Sequence, residues 1–406
     1  MTPHDTVQPE SVGLSAARLA KIGPWMQRLV DDRKLAGLSV AVLRRGELAY
    51  CAATGLADIA RDVPFTRETL VRIYSMTKPL TSTAILMLYE DGHFQLDDSI
   101  ARFLPCFASR RVFTGGSRAR PETEPAARDI TFRDLLTHTS GLTYGFMDAT
   151  ALDSLYRETG VDFQMSDLTL AEVVEKAAAL PLLAQPGTQW NYSVATDVLG
   201  RLVEVISGQP FDVFLQSRVL GPLGMHETGF RVTDAQLPRF AALYTRGADG
   251  TPALMDDVPT SIFRKSRLPS GGGGLLSTLD DYLRFCRFIL NKGELSGVRL
   301  LGRKTVELMT ANHLRGDLAD MGQPRFSESS YAGIGFGLGF SVMLDPARAQ
   351  ILGTPGEVAW GGAASTAFWI DPAEDMAVVM LTQLLPSSSW PIRRELRVLT
   401  YQAVVD

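Results

Sequence analysis

The chain has 406 residues, a hydrophobic fraction of 45% and a formal net charge of −5. That length accommodates two domains or one large domain with an insertion, and the apolar fraction supports a real core. The acidic balance and scattered basic residues argue against nucleic acid or an anionic membrane as partner; the one basic cluster, "SRRVFTGGSRARPE" from Ser109, reads as a solvated loop.

A helical apolar period behind a serine cap runs through "SAARLAKIGPWMQRLVDDRK" from Ser15. Two β-rich runs follow from Gly37, joined by Arg44-Arg45-Gly46-Glu47, a hairpin signal. Behind Ser75 comes a helix that is apolar nearly all round from Leu80 to Tyr89, the mark of burial on every side. From about Asp97 the character changes to helices and loops with almost no strand signal. After the Gly271–Gly274 run, "STLDDYLRFCRFILNKG" is a capped helix, and β-rich runs return in "GFGLGFSVML", "STAFWID" and "MAVVMLTQLL". The expected fold is α/β: a mainly antiparallel sheet flanked by helices, assembled from residues 1–95 and 268–406, with a mostly helical domain, 96–267, inserted and the site at the interface.

The N-terminus shows neither a basic n-region nor an apolar h-region, and no apolar run reaches the roughly 18 residues of a bilayer span. A cytoplasmic protein without a membrane partner is expected. Cys51, Cys106 and Cys286 lie far apart, outside any disulfide or zinc pattern, and read as small buried hydrophobes.

The stretch "VRIYSMTKPLTSTAILMLYEDG" from Val71 raises a question of charge, because Lys78 stands at the mouth of the most apolar helix. Burying an ammonium costs several kcal/mol unless it is paired or loses its proton. One helical turn brings Lys78 onto the same face as Ser75, close enough to share a proton. A serine hydroxyl is a weak nucleophile until a base removes its proton, and burial and the helix dipole both turn a lysine into such a base. The plain alternative is a capping serine and a lysine that snorkels to solvent, since S-x-x-K recurs by accident.

Two more segments bear on the question. In "QPGTQWNYSVATDVLGRL", Tyr192 stands between a Pro-Gly turn and a helix starting at Ala195. A phenol can relay a proton there, especially beside an ammonium that lowers its pKa; read alone, a core aromatic is the simpler account. In "EVAWGGAASTAFWI", Gly361 and Gly362 mark a backbone approached closely by something else, or else a β-bulge.

Taken together, Ser75-Met76-Thr77-Lys78, Tyr192-Ser193-Val194 and Trp360-Gly361-Gly362 resemble the three ordered motifs of the serine β-lactamase-like proteins. The leading tyrosine is similar to that of class C β-lactamases and DD-peptidases, and Trp-Gly-Gly to that of the family VIII carboxylesterases. "LLTHTSGL" at Leu135–Leu142 and "GQPFDVFLQSRVLGPLGM" from Gly208 extend the likeness over most of the chain. The resemblance implies Ser75 as acylated nucleophile, Lys78 as general base and Tyr192 as proton-transfer partner. It implies an oxyanion hole from the amides of Ser75 and Ala363, a pocket shaped by Trp360, Gly361, Gly362 and Tyr144, and no metal or organic cofactor.

The third motif lacks the lysine that holds a carboxylate in K-T-G, so uncharged short-chain esters are favoured over β-lactams, with weak β-lactam hydrolysis left as a side activity. The absence of G-x-S-x-G speaks against an α/β-hydrolase. Among five histidines, His138 tempts as a triad member because Asp134 lies one turn before it. The resemblance makes this segment scaffold, with Gly141 capping the helix. The expected function is a serine carboxylesterase acting on a small-molecule ester. Acyl transfer to an alcohol, an amidase on D-amino-acid or oligoamide substrates, and an acylated sensor that does not turn over are the rivals, and oligomeric state stays open. The loops at 109–128 and from Met321 are candidates for lining the site.

Overall fold

Arg45 and Gly46 both adopt positive φ, 51° and 76°, as a two-residue hairpin turn between right-twisted strands requires. The strands they join, Gly37–Arg44 and Glu47–Asp58, pair antiparallel. The computed structural model describes residues 6–147, 149–161, 167–322, 325–326 and 329–406. Its main sheet has eight strands. From one edge they are Ile334–Phe336, Ser341–Met343, Val358–Gly361, Ala367–Asp371, Met376–Thr382, Gly37–Arg44, Glu47–Asp58 and Val63–Pro64. All neighbours run antiparallel, and the two chain ends meet where Gly37–Arg44 pairs with Met376–Thr382.

The central strands Gly37–Arg44 and Met376–Thr382 are buried throughout and mostly apolar because both faces are covered. Leu38, Val40, Val42, Val378 and Met380 enter a core with the helices Ile22–Asp31 and Ile392–Tyr401. Ala41, Leu43, Val379 and Leu381 enter the opposite core with the helices Thr77–Glu90 and Leu279–Leu290. The helix behind Ser75 is buried without a break from Thr77 to Leu88. An inserted, largely helical subdomain includes Phe132–Leu136, Leu170–Ala179 and Ala195–Ser207.

Several local expectations are corrected. The N-terminal helix is two, Ala16–Leu19 and Ile22–Asp31, and Ser15 makes no side-chain cap bond. Pro24 has no N–H for a continuing helix and is tolerated only in a first turn. The middle of the chain does hold strands. Arg111–Ser117 pairs with Arg120–Pro125, turning the supposed loop into a hairpin whose mostly exposed side chains give no apolar alternation. Leu243–Arg246 pairs with Pro252–Asp256 and, in parallel, with Leu384–Leu385. Thr278 caps the helix Leu279–Leu290 as anticipated. Of the cysteines only Cys286 is buried; Cys51 is intermediate and Cys106 exposed. No described helix is long and apolar enough to cross a membrane.

Candidate active site

Ser75 lies in a short 3-10 turn, Tyr74–Met76, that leads directly into the helix Thr77–Glu90. Tyr74 has φ of 43°, a left-handed backbone that a bulky residue rarely adopts and that marks strain beside functional groups. Lys78, in the first turn of the long helix, points back to the serine: its Nζ lies 3.3 Å from Ser75 Oγ. From the inserted subdomain, the loop before Ala195–Ser207 brings Tyr192, whose hydroxyl donates to Ser75 Oγ at 2.6 Å. From the sheet, Trp360 donates through Nε1 to Tyr192 Oη at 3.3 Å. The three sequence motifs therefore meet around one hydroxyl.

Lys78 is 1% exposed. Its ammonium is anchored by the carbonyl of Gly272 at 2.7 Å and by Tyr144 Oη at 3.2 Å. Burial pulls its pKa from 10.5 down to about 7, and the charge of Asp197 opposes the fall. Tyr192 runs against the expectation that a neighbouring ammonium lowers its pKa. Burial is the largest influence and raises it, so the phenol keeps its proton and stands as a donor toward Ser75.

Asp197 escaped the sequence reading, although an acid among Ala195, Val198 and Leu199 on a buried helix face is a visible anomaly. Its Oδ1 accepts from Ser270 Oγ at 2.6 Å and from the Gly272 amide at 3.2 Å. Burial raises its pKa, opposed by Ser270 and by the Lys78 charge. The glycine run gains its meaning here. A Cβ on Gly272 would lie 2.6 Å from Asp197 and 2.7 Å from the Tyr144 hydroxyl, so only glycine lets this backbone reach Lys78.

His138 is paired with Ser193 rather than with Ser75. Its Nδ1 faces Ser193 Oγ at 3.2 Å, its ring packs against Trp190 and Phe336, and burial with the Lys78 charge holds its pKa well below the usual range. Asp134 is occupied by Arg128 and by the capping box with Thr131. Nor does Gly141 cap the helix: His138 itself takes the left-handed position after it, with φ of 56°.

A cavity of about 540 Å³ opens over the serine, lined by Ser75, Tyr192, Trp360 and the backbone from Gly361 to Ala363. Phe146, Tyr331, Ile334 and Trp369 add apolar wall. Tyr144 lies instead beneath it, against Lys78. The loop from Met321 contributes Ser330 and Tyr331 to the lining, whereas the hairpin at 111–125 contributes nothing and pairs with Leu182. Residues 323–324 and 327–328 of that loop lie outside the described residues. No group of three or more His, Cys, Asp or Glu among the described residues is placed to hold a metal.

An antiparallel sheet between helices, with a helical subdomain inserted, is the β-lactamase/transpeptidase architecture. The chain belongs to the Beta-lactamase family, whose model matches residues 24–402. It is 38% identical over 372 residues to an uncharacterized protein of Mycobacterium tuberculosis, covering 90% of each chain. It is 33% identical over 399 residues to the esterase EstB of Burkholderia gladioli, covering 93% of each. Among solved structures, EstCE1, described as a hydrolase with promiscuous acyltransferase activity, superposes with a TM-score of 0.80 at 29% identity, covering 96% of this chain and 99% of that one. Within the family the chain thus stands with the serine hydrolases and acyltransferases similar to family VIII esterases.

Proposed function

We propose that this chain is a carboxylesterase that cleaves short-chain acyl esters through an acyl-enzyme on Ser75. The carrying observation is a buried serine hydroxyl held between a phenol at 2.6 Å and an amine at 3.3 Å, at the floor of a largely apolar cavity. With its pKa near 7, Lys78 is largely neutral at mildly alkaline pH and accepts the Ser75 proton as Oγ attacks the ester carbonyl. The carbonyl oxygen takes the negative charge and is received by the amides of Ser75 and Ala363. Tyr192, still protonated, gives its proton to the departing alkoxide and regains one from the Lys78 ammonium. The acyl–oxygen bond breaks, the alcohol leaves, and water repeats the sequence on the acyl-enzyme with the same groups. Trp360, Gly361 and Gly362 shape the wall along which the acyl group lies, and Tyr144 holds the lysine side chain in place. The likeness to EstB supports hydrolysis; an indole where a lysine would grip a carboxylate supports uncharged esters.

Transfer of the acyl group to an alcohol is the second reading, supported by the likeness to EstCE1. The deciding experiment is p-nitrophenyl butyrate hydrolysis by the wild type, Ser75→Ala and Lys78→Ala, with nitrocefin in parallel and with added alcohols. Steady turnover lost in both variants, with little nitrocefin cleavage, carries the esterase reading. Faster p-nitrophenol release and ester formation with alcohols carry the transferase. Undiminished turnover by Ser75→Ala would overturn both.

A further inference from the structure

A peptide unit is planar and trans, so its C=O and N–H point in opposite directions and fixing one fixes the other. The Ala363 amide shares its peptide unit with the Gly362 carbonyl, and that carbonyl is gripped from behind. Arg393, in the first turn of the helix Ile392–Tyr401, donates from Nη2 to Gly362 O at 2.7 Å and to Thr366 O at 2.9 Å. The same guanidinium lies close against Gly361, where a Cβ would sit 2.8 Å from Arg393 Cζ. The turn is closed by Gly362 N to Thr366 O at 2.9 Å and Ser365 N to Gly362 O at 3.1 Å, with Ser365 at φ of 68°. On its other side Gly362 rests on the carbonyl of Ile73, two residues before Ser75, where a Cβ would come within 2.4 Å.

We propose that Arg393 is a positioning residue of the active site, orienting and polarising the Gly362–Ala363 peptide so that the Ala363 N–H receives the developing oxyanion. This rests on the acyl-enzyme reading above. A cation donating to a carbonyl draws electron density from the whole amide, which strengthens its N–H as a donor, and hydrogen bonds in a chain reinforce one another in this way. The second bond, to Thr366 O, prevents the turn from rotating about the first. Preorganised donors stabilise charge because they need no rearrangement at the moment of reaction, and small displacements remove the benefit. Both glycines of the third motif acquire a reason here: Gly361 admits the guanidinium and Gly362 admits the Ile73 carbonyl.

The test is Arg393→Ala and Arg393→Lys with p-nitrophenyl butyrate, alongside inhibition by phenylboronic acid, which forms a tetrahedral adduct on a reactive serine. Arg393→Ala is expected to lower kcat about 10- to 100-fold with KM within about threefold. Phenylboronic acid affinity should fall in parallel, and Arg393→Lys, with the charge but without the planar guanidinium, should fall between. Methylguanidinium at millimolar concentration should restore part of kcat to Arg393→Ala, and urea at the same concentration should not. A purely structural role would lower the melting temperature of the Ala variant without chemical rescue. Unchanged kcat in Arg393→Ala, or loss of substrate and boronic acid affinity to the same extent without a fall in kcat, overturns the proposal. If Ser75→Ala stays active, the acyl-enzyme reading fails; if Ser75→Ala is dead and Arg393→Ala is normal, only this inference fails.

Discussion

The hydroxyl of Tyr192 lies 2.6 Å from Ser75 Oγ, although 117 residues separate the two in the chain. Buried as it is, the phenol is held well above its ordinary pKa, and it donates to Ser75 while accepting from Trp360. Tyr192→Phe removes that donor and leaves the ring. It is expected to lower kcat for p-nitrophenyl butyrate by about 10²- to 10⁴-fold with a small change in KM. A loss below about fivefold in steady-state assays would remove Tyr192 from the proton path.

Lys78 couples activity and stability with opposite signs. Its folded pKa is about 7 against 10.5 for a free lysine, so below pH 7 the fold carries the whole cost of burying the cation. Between pH 7 and 10.5 that cost fades as the pH rises, and above it none remains. Lys78→Met should therefore abolish hydrolysis, raise the melting temperature at pH 6 and change it little near pH 10.5. For the wild type, kcat/KM should rise through about pH 7 as the amine loses its proton. Calorimetry across that pH range is the check.

His138 is neutral throughout the working range because burial and the Lys78 charge both disfavour its cation. Asn tolerates the left-handed backbone His138 occupies. His138→Asn should keep kcat within about fivefold and leave the rise near pH 7 in place. Disappearance of that limb would mean that the imidazole, not the amine, is the base.

Gly362→Ala introduces a methyl 2.4 Å from Ile73 O and 2.3 Å from Thr366 Oγ1. The turn carrying Ala363 must move away from the Ser75 segment. A kcat loss of at least about 100-fold is expected, beyond any change in melting temperature. Burst kinetics will show whether acylation is the step that slows.

Behind the sheet, Arg397 grips Glu357 through two bonds of 2.8 and 2.6 Å, and Tyr401 donates to the same carboxylate at 2.5 Å. Arg397→Ala leaves that carboxylate buried without its cation and should cost about 3–5 kcal/mol of unfolding free energy. Replacing both partners, Arg397→Met with Glu357→Leu, should recover most of it. Urea unfolding measures both.

Much of this protein was legible in one dimension. The hairpin at Arg45-Gly46, the buried helix behind Ser75, the capped helix at Leu279 and the returning C-terminal strands follow from turn chemistry and apolar periodicity, which are local. So do the candidates Ser75 and Lys78, because a lysine at the mouth of an apolar helix is an anomaly of composition and spacing. The strands at Arg111–Ser117 and Leu243–Arg246 were not legible. The first is mostly exposed, and the second is stabilised by Leu384–Leu385 from the far end of the chain. Tyr192 reads as an ordinary core aromatic, and the glycines beside Trp360 as a β-bulge, until the three motifs are read in order.

What only the tertiary structure decided is how these groups are charged and aimed. Composition alone shows that Lys78 is costly; its burial in the fold lowers its pKa, and the charge of Asp197 limits the fall. Proximity in sequence made His138 with Asp134 a tempting pair, which the motif resemblance set aside; the fold turns one toward Ser193 and spends the other on Arg128. Arg393 carried no sequence signal, since an arginine early in a C-terminal helix is commonplace. Its role exists only because that helix lies behind the turn at Gly362. Local sequence determines which groups are available, and desolvation and direction, which decide what they do, arise only when distant segments pack together.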